Sequence, residues 1–208
     1  MYISPVHRIE DQSIAIGIMQ QNPFAILVSN GSLEPTATHI PILVENSEPI
    51  VLMGHMARAN SHWQMLDSDS KCLVIFHGPH GYVSPSWYST RPNVPTWNYV
   101  SVHAYCRSEL ILDEDAALSH LSTMVNAFDP YLSTDQPESM DVDYHRKLLK
   151  GLVVFRLIVE RLDAKAKLNQ NKMEVDRLAV KSRYSNSEIE MEQAMGEMMS
   201  GNWPHQSS

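Results

Sequence analysis

Only two cysteines, Cys72 and Cys106, occur in 208 residues. That is too few for a disulfide framework, so the chain must fold on its apolar core. Cations are also scarce: 16 Lys and Arg against 24 Asp and Glu give a formal net charge of −8. Neutralising phosphates needs clustered Lys and Arg, so this balance disfavours autonomous DNA binding. No stretch reaches the roughly 18 unbroken apolar residues of a membrane span. The opening Met1-Tyr2-Ile3-Ser4-Pro5-Val6-His7-Arg8 lacks the apolar region of a signal peptide. The expectation is a soluble, cytoplasmic protein with no membrane partner. Also missing are a glycine-rich dinucleotide loop, a phosphate loop, a nucleophile elbow and a zinc-protease helix pair. Ser68-Asp69-Ser70-Lys71 fits a Ser-x-x-Lys string, but four common residues carry no catalytic assignment.

Apolar residues make up 43%, enough for the core of one domain with appendages. Seven of the ten histidines (His39, His55, His62, His77, His80, His103 and His120) lie between residues 39 and 120. Trp63, Trp87 and Trp97 fall in the same stretch, so chemistry is sought there first.

Residues 10–21 read as a helix ended by Asn22-Pro23. Strands are expected at 24–29, 39–44, 50–55 and 72–76, with Asn30-Gly31 as a turn. Residues 57–66 look helical, and 78–95 read as a structured loop rich in Gly, Pro and aromatics. Residues 99–112 alternate with period two: Val100, Val102, Ala104, Cys106, Ser108 and Leu110 fall on one face. A strand of that length suits a coiled barrel strand better than a small flat sheet. Helices are expected at 113–128 and 142–150, a linker at 130–137, and a last long strand at 152–162. Helices follow near 172–183 and 187–200, the second opened by a capping box from Ser187 to Glu190. The fold class is mainly β with helical decoration: an antiparallel barrel of five or six strands. Two domains are expected, the barrel at 1–183 and a helical tail at 184–208.

Gly54-His55-Met56-Ala57-Arg58-Ala59-Asn60 places an Arg and an Asn where a strand enters the expected helix. Backbone N–H groups plus a guanidinium fork suit a phosphate; the alternative is a solvated Arg58 and an Asn60 cap. His77-Gly78-Pro79-His80 could pair two imidazoles, yet no third ligand stands at metal spacing, and no metal site is assigned. Tyr82, Trp87, Tyr88, Trp97 and Tyr99 could stack on a flat heterocycle, seal a dimer or cap the barrel. Lys165-Ala166-Lys167-Leu168-Asn169-Gln170-Asn171 could hold an anion and a polar ring edge, or form a solvated turn. Met191, Ala194, Met195, Met198 and Met199 form a helical stripe that favours packing over peptide binding.

Several of these strings, in order, resemble one family. They are Thr38-His39-Ile40-Pro41, the Gly54–Asn60 run, and Phe76-His77-Gly78-Pro79-His80-Gly81-Tyr82-Val83-Ser84-Pro85-Ser86-Trp87-Tyr88. Val94-Pro95-Thr96-Trp97-Asn98-Tyr99 and Lys167-Leu168-Asn169-Gln170-Asn171 complete the set. The sequence resembles the PaiB-type FMN-binding negative transcriptional regulators. That resemblance implies a six-stranded, Greek-key FMN-binding split barrel, working as a homodimer with FMN between subunits. It implies that Arg58, Asn60 and Lys167 hold the phosphate, and that Thr38 and His39 approach the isoalloxazine. Gln170 and Asn171 would meet the ribityl chain or ring edge, and Trp97 and Asn98 line the pocket or dimer seam. The chain departs from the family motif at Ala166, where Trp is usual, and at Asn169, where Ser is usual. An Ala for a buried Trp removes up to about 3–5 kcal/mol of contact, which weakens the expected hold on FMN. A flavin-dependent oxidoreductase or haem-handling enzyme of the same fold is the alternative, with no acid–base pair to assign.

Overall fold

The computed structural model describes residues 1–31, 34–66, 70–132 and 141–203. Ser68 of the Ser-x-x-Lys string and residues 133–137 of the expected linker lie outside them. The strands are β1 (Phe24–Asn30), β2 (Pro35–Pro41), β3 (Leu43–Glu45), β4 (Val51–Ala57), β5 (Lys71–Val83), β6 (Thr96–Ile111) and β7 (Leu152–Lys167). They form one antiparallel sheet in the order β2-β1-β5-β6-β7-β4-β3. The helices among the described residues are α1 (Gln12–Gln21), α2 (Glu114–Phe128), α3 (Val142–Leu149), α4 (Glu174–Ser185) and α5 (Glu190–Met199). Among the described residues no helix is long and apolar enough to cross a membrane.

Seven strands appear instead of six because the expected strand at 39–44 is two. Pro41 has no N–H to continue the ladder, and the Ile42 N–H donates to Pro23 O at 2.8 Å. Beyond that break, Leu43 pairs with Met53 of β4.

The chain divides into two units. Unit 1 comprises Met1–Asn22, Phe76–His103 and Leu162–Ser208; unit 2 comprises Pro23–Ile75 and Ala104–Arg161. In unit 2, β1 pairs with β2 from Phe24↔Pro41 to Asn30↔Pro35, the hairpin that Asn30-Gly31 predicts. β4 pairs with β7 over its whole length, and Gly54 lies opposite Phe155. A Cβ on Gly54 would come within 2.8 Å of the Phe155 ring, so only glycine fits. Leu27, Leu52, Val74, Phe155 and Leu157 are wholly buried. Asp113 caps α2, its carboxylate accepting from Ala116 N at 2.8 Å. The helix then buries Ala117, His120 and Met124. Cys72 and Cys106 are buried thiols, and contact with Cys72 together with burial drives the Cys106 thiol far up. Such thiols are unreactive.

In unit 1, α1 buries Ile16, Ile18 and Met19, and β6 buries Val100 and Val102. Tyr184 of α4 is wholly buried; its hydroxyl donates to Tyr82 O at 3.2 Å and its ring meets Trp87 edge-on at 5.8 Å. Asp176, also on α4, accepts from Ser89 N at 2.7 Å, Thr90 N at 3.2 Å and the Thr90 hydroxyl, and so pins the segment after β5. In the methionine stripe Met195 and Met198 are buried, whereas Met191 is exposed.

Four local expectations are corrected. Residues 57–66 hold a single 3-10 turn, Ser61–Met65, because Asn60 caps it and starts the turn afresh. The expected loop from residue 78 is strand as far as Val83; its glycines admit close neighbours instead of breaking the strand. A Cβ on Gly81 would come within 2.7 Å of the Tyr184 ring. β7 continues to Lys167, so Lys165 and Lys167 are strand residues and not part of a turn. Ser187 makes no capping box with Glu190: its hydroxyl donates to Glu192 Oε2 at 2.6 Å, and α5 starts from Ile189.

Candidate functional site

The residues singled out from the sequence fall into both units. In unit 2, Thr38 and Asn60 come together around a histidine. The Asn60 Nδ2 donates to Thr38 Oγ1 at 3.2 Å, and Asn60 Oδ1 accepts from His62 N at 3.1 Å. Thr38 Oγ1 lies 2.8 Å from His62 Nδ1. His62 is wholly buried, burial holds its pKa below the ordinary value, and its Nε2 has no partner. The neutral imidazole therefore fixes the Thr38 hydroxyl, which Asn60 approaches from the other side. Sequence reasoning missed His62; the signal available was its place two residues after a capping Asn.

Arg58 and His39 stand apart from this network. The Arg58 backbone N–H donates to Gly151 O at 2.8 Å, its Nε to Lys150 O at 3.2 Å and its Nη2 to Leu152 O at 2.8 Å. Those carbonyls close the end of α3 and open β7, so Arg58 serves as a clamp between the ends of β4 and β7. Trp63 Nε1 donates to Arg58 O at 3.0 Å, with the guanidinium 5.9 Å from its ring. Arg58, Trp63, Leu110, Lys147, Lys150 and Leu152 are among the walls of a cavity of 670 Å³. His39 is exposed beside Phe24, ring centroids 6.1 Å apart. Successive side chains of a strand point to opposite faces, so Thr38 and His39 face opposite sides of β2.

In unit 1, Trp97 and Asn98 open β6. Trp97 is 54% exposed and lies 6.2 Å from His80 and 5.9 Å from Tyr82, ring to ring. His77 and His80 stack edge-on at 4.7 Å. Among the described residues no group of three His, Cys, Asp or Glu is placed to hold a metal ion. Asn98 is wholly buried with both amide atoms unpartnered. Lys167 Nζ donates to Thr96 Oγ1; burial first, and then Lys165, lower its pKa, against the opposing pull of Tyr99. Gln170 folds back on the backbone, donating to Ala166 O at 2.6 Å and accepting from Leu168 N at 2.7 Å. Asn171 is exposed. Asn169 has φ of 62°, a left-handed conformation that Asn tolerates better than Ser, which gives that departure a backbone reason. Ala166 is buried.

These residues suit a flavin on one count above the others. The unpartnered amide of Asn98 offers a donor and an acceptor side by side, the complement of an imide edge; Trp97, the residue before it on β6, is exposed on the opposite face.

The family described as "Putative FMN-binding domain" matches residues 1–161. A Bacillus subtilis protein, "Protease synthase and sporulation protein PAI 2", is 34% identical over 203 residues, covering 96% of each chain. Among solved structures, the flavocytochrome Anf3 from Azotobacter vinelandii matches with a TM-score of 0.65 at 18% identity, over 85% of this chain and 78% of that one. The FAD and haem binding protein from Mycobacterium smegmatis matches with a TM-score of 0.65 at 15% identity, over 83% and 79%. These neighbours share the flavin split-barrel fold. The length of the family match and the identity to the Bacillus protein together show that this chain belongs to the PaiB-like family of FMN-binding domain proteins.

Proposed function

We propose that this protein binds FMN and acts, as a homodimer, in negative control of transcription, with the flavin as its sensing group. The family match over residues 1–161 carries this reading, since that span includes Thr38, Asn60, His62, Trp97 and Asn98. FMN supplies reversible one- or two-electron chemistry when bound. Unit 2 taken by itself presents an oriented hydroxyl and amide at Thr38 and Asn60 and a guanidinium with N–H groups to spare at Arg58. In unit 1, Asn98 would meet the ring edge, Trp97 the ring plane, Lys167 the phosphate, and Gln170 and Asn171 the ribityl chain. The charge of −8 favours control through a protein partner over direct DNA contact.

Titration of purified protein with FMN tests this. Saturable quenching of flavin fluorescence at about one FMN per subunit is expected from the reading, and Asn98→Ala and Arg58→Ala weaken it. Absence of saturable binding overturns it. Rapid turnover of reduced nicotinamide by the reconstituted protein would overturn the regulatory role in favour of an oxidoreductase.

A further inference from the structure

Asp163, Lys165 and Lys167 alternate onto one face of β7 within unit 1. The carboxylate is committed: Asp163 Oδ2 accepts from the Met1 ammonium at 2.8 Å. Among the described residues the lysines meet only uncharged groups. Lys165 is only 7% exposed, and its Nζ has one oxygen acceptor, Tyr2 O at 3.3 Å, under the rings of Tyr99 at 4.9 Å and Tyr2 at 5.8 Å. Lys167 Nζ reaches Thr96 Oγ1. Neither ammonium forms an ion pair among the described residues. Arg8 bridges to Lys165 through the backbone, and Ile9 N donates to Ala164 O at 3.0 Å, which lays the first residues along β7. His7 thereby joins the cluster. Its Nε2 is buried without a partner, and burial followed by the two ammonium groups holds its pKa below the ordinary value.

Burying an ammonium without a counter-charge is strongly unfavourable, and removing such a charge is often stabilising. In a chain with eight more acids than bases, two adjacent lysines with no carboxylate between them mark a place kept for an external anion. We propose that Lys165, Lys167 and His7 form a seat for a phosphate monoester. Two ammonium groups match its two negative charges, and the imidazole and the Thr96 hydroxyl add neutral donors. Lys165 and His7 thus join Lys167, and the flavin version of the seat rests on the FMN reading above. The phosphate is either that of the flavin nucleotide or free phosphate.

The test compares wild type, Lys165→Met and His7→Gln with FMN, riboflavin and inorganic phosphate. Melting is followed in phosphate and in chloride of equal ionic strength, and flavin affinity by fluorescence. Phosphate is expected to raise the wild-type Tm and leave Lys165→Met unmoved, while Lys165→Met melts no lower than wild type in chloride. Loss of a charge-assisted contact weakens FMN by roughly tenfold or more in both variants, with riboflavin unchanged. If phosphate protects but FMN and riboflavin bind alike, the seat takes free phosphate. If no flavin binds, the FMN reading fails and the phosphate response alone decides the seat. Equal losses of FMN and riboflavin together with a lowered Tm in chloride, or no phosphate response and no preference for FMN, overturn the proposal.

Discussion

Acid should weaken this fold through one residue in particular. His120 is 4% exposed on the inner face of α2, beside β4, and its pKa is lowered to about 4, first by burial and then by His55, despite a hydrogen bond to the Gly54 backbone. His55 Nδ1 and His120 Nε2 are both buried without partners. Unfolded, the same imidazole titrates near 6.5, so the unfolded chain takes up the proton first as pH falls. The stability that neutral His120 supports is complete above 6.5, declines between 6.5 and about 4, and is gone below. A depression from 6.5 to about 4 is worth ~3 kcal/mol in full, of which ~2 kcal/mol is lost by pH 5. Urea unfolding of wild type and His120→Gln at about pH 8 and about pH 5 measures it. His55 and His62 are also held low by burial, so both proteins lose stability in acid. The variant should lose ~2 kcal/mol less. Equal losses would refute the assignment to His120.

Two further outcomes follow from packing. Gly81→Ala drives a methyl group to 2.7 Å from the Tyr184 ring and should destabilise by about 1–3 kcal/mol in urea unfolding; a neutral result would mean that α4 yields easily. Asp176→Asn loses charge-assisted bonds to Ser89 and Thr90, so residues 84–95 should become the first site of limited proteolysis, with the cleavage pattern elsewhere unchanged.

Much of the fold was legible because period-two alternation survives burial on one face. The even-numbered residues from Asn98 to Ser108 are buried as the pattern of β6 predicts. Reading failed where tertiary contacts overrule local signals. Gly78 and Gly81 look like loop residues, yet each makes room for a neighbour: Val100 and Tyr184. Lys165 and Lys167 look like a solvated turn, yet they belong to the end of a strand whose residues 163–166 are buried on both faces. For the candidate site, sequence order pointed to Thr38 and Asn60 but not to His62, because nothing local marks a histidine as the third member of a network. Arg58 shows the converse. Its fork is evident in sequence, but its partners, the carbonyls of Lys150 and Leu152, lie 92 and 94 residues away.

The interleaving of the two units has a consequence for synthesis. Unit 2 contains nothing beyond Arg161, so every one of its residues is polymerised before the Leu162–Ser208 stretch of unit 1. Unit 1 begins with Met1 but needs Leu162–Ser208, which brings Lys165, Lys167 and Tyr184. Domains tend to fold as their residues emerge. Residues near Met1, His7 among them, therefore wait for the segment from Leu162 onward, and a chain stalled shortly after Arg161 lacks the segment that unit 1 needs to close.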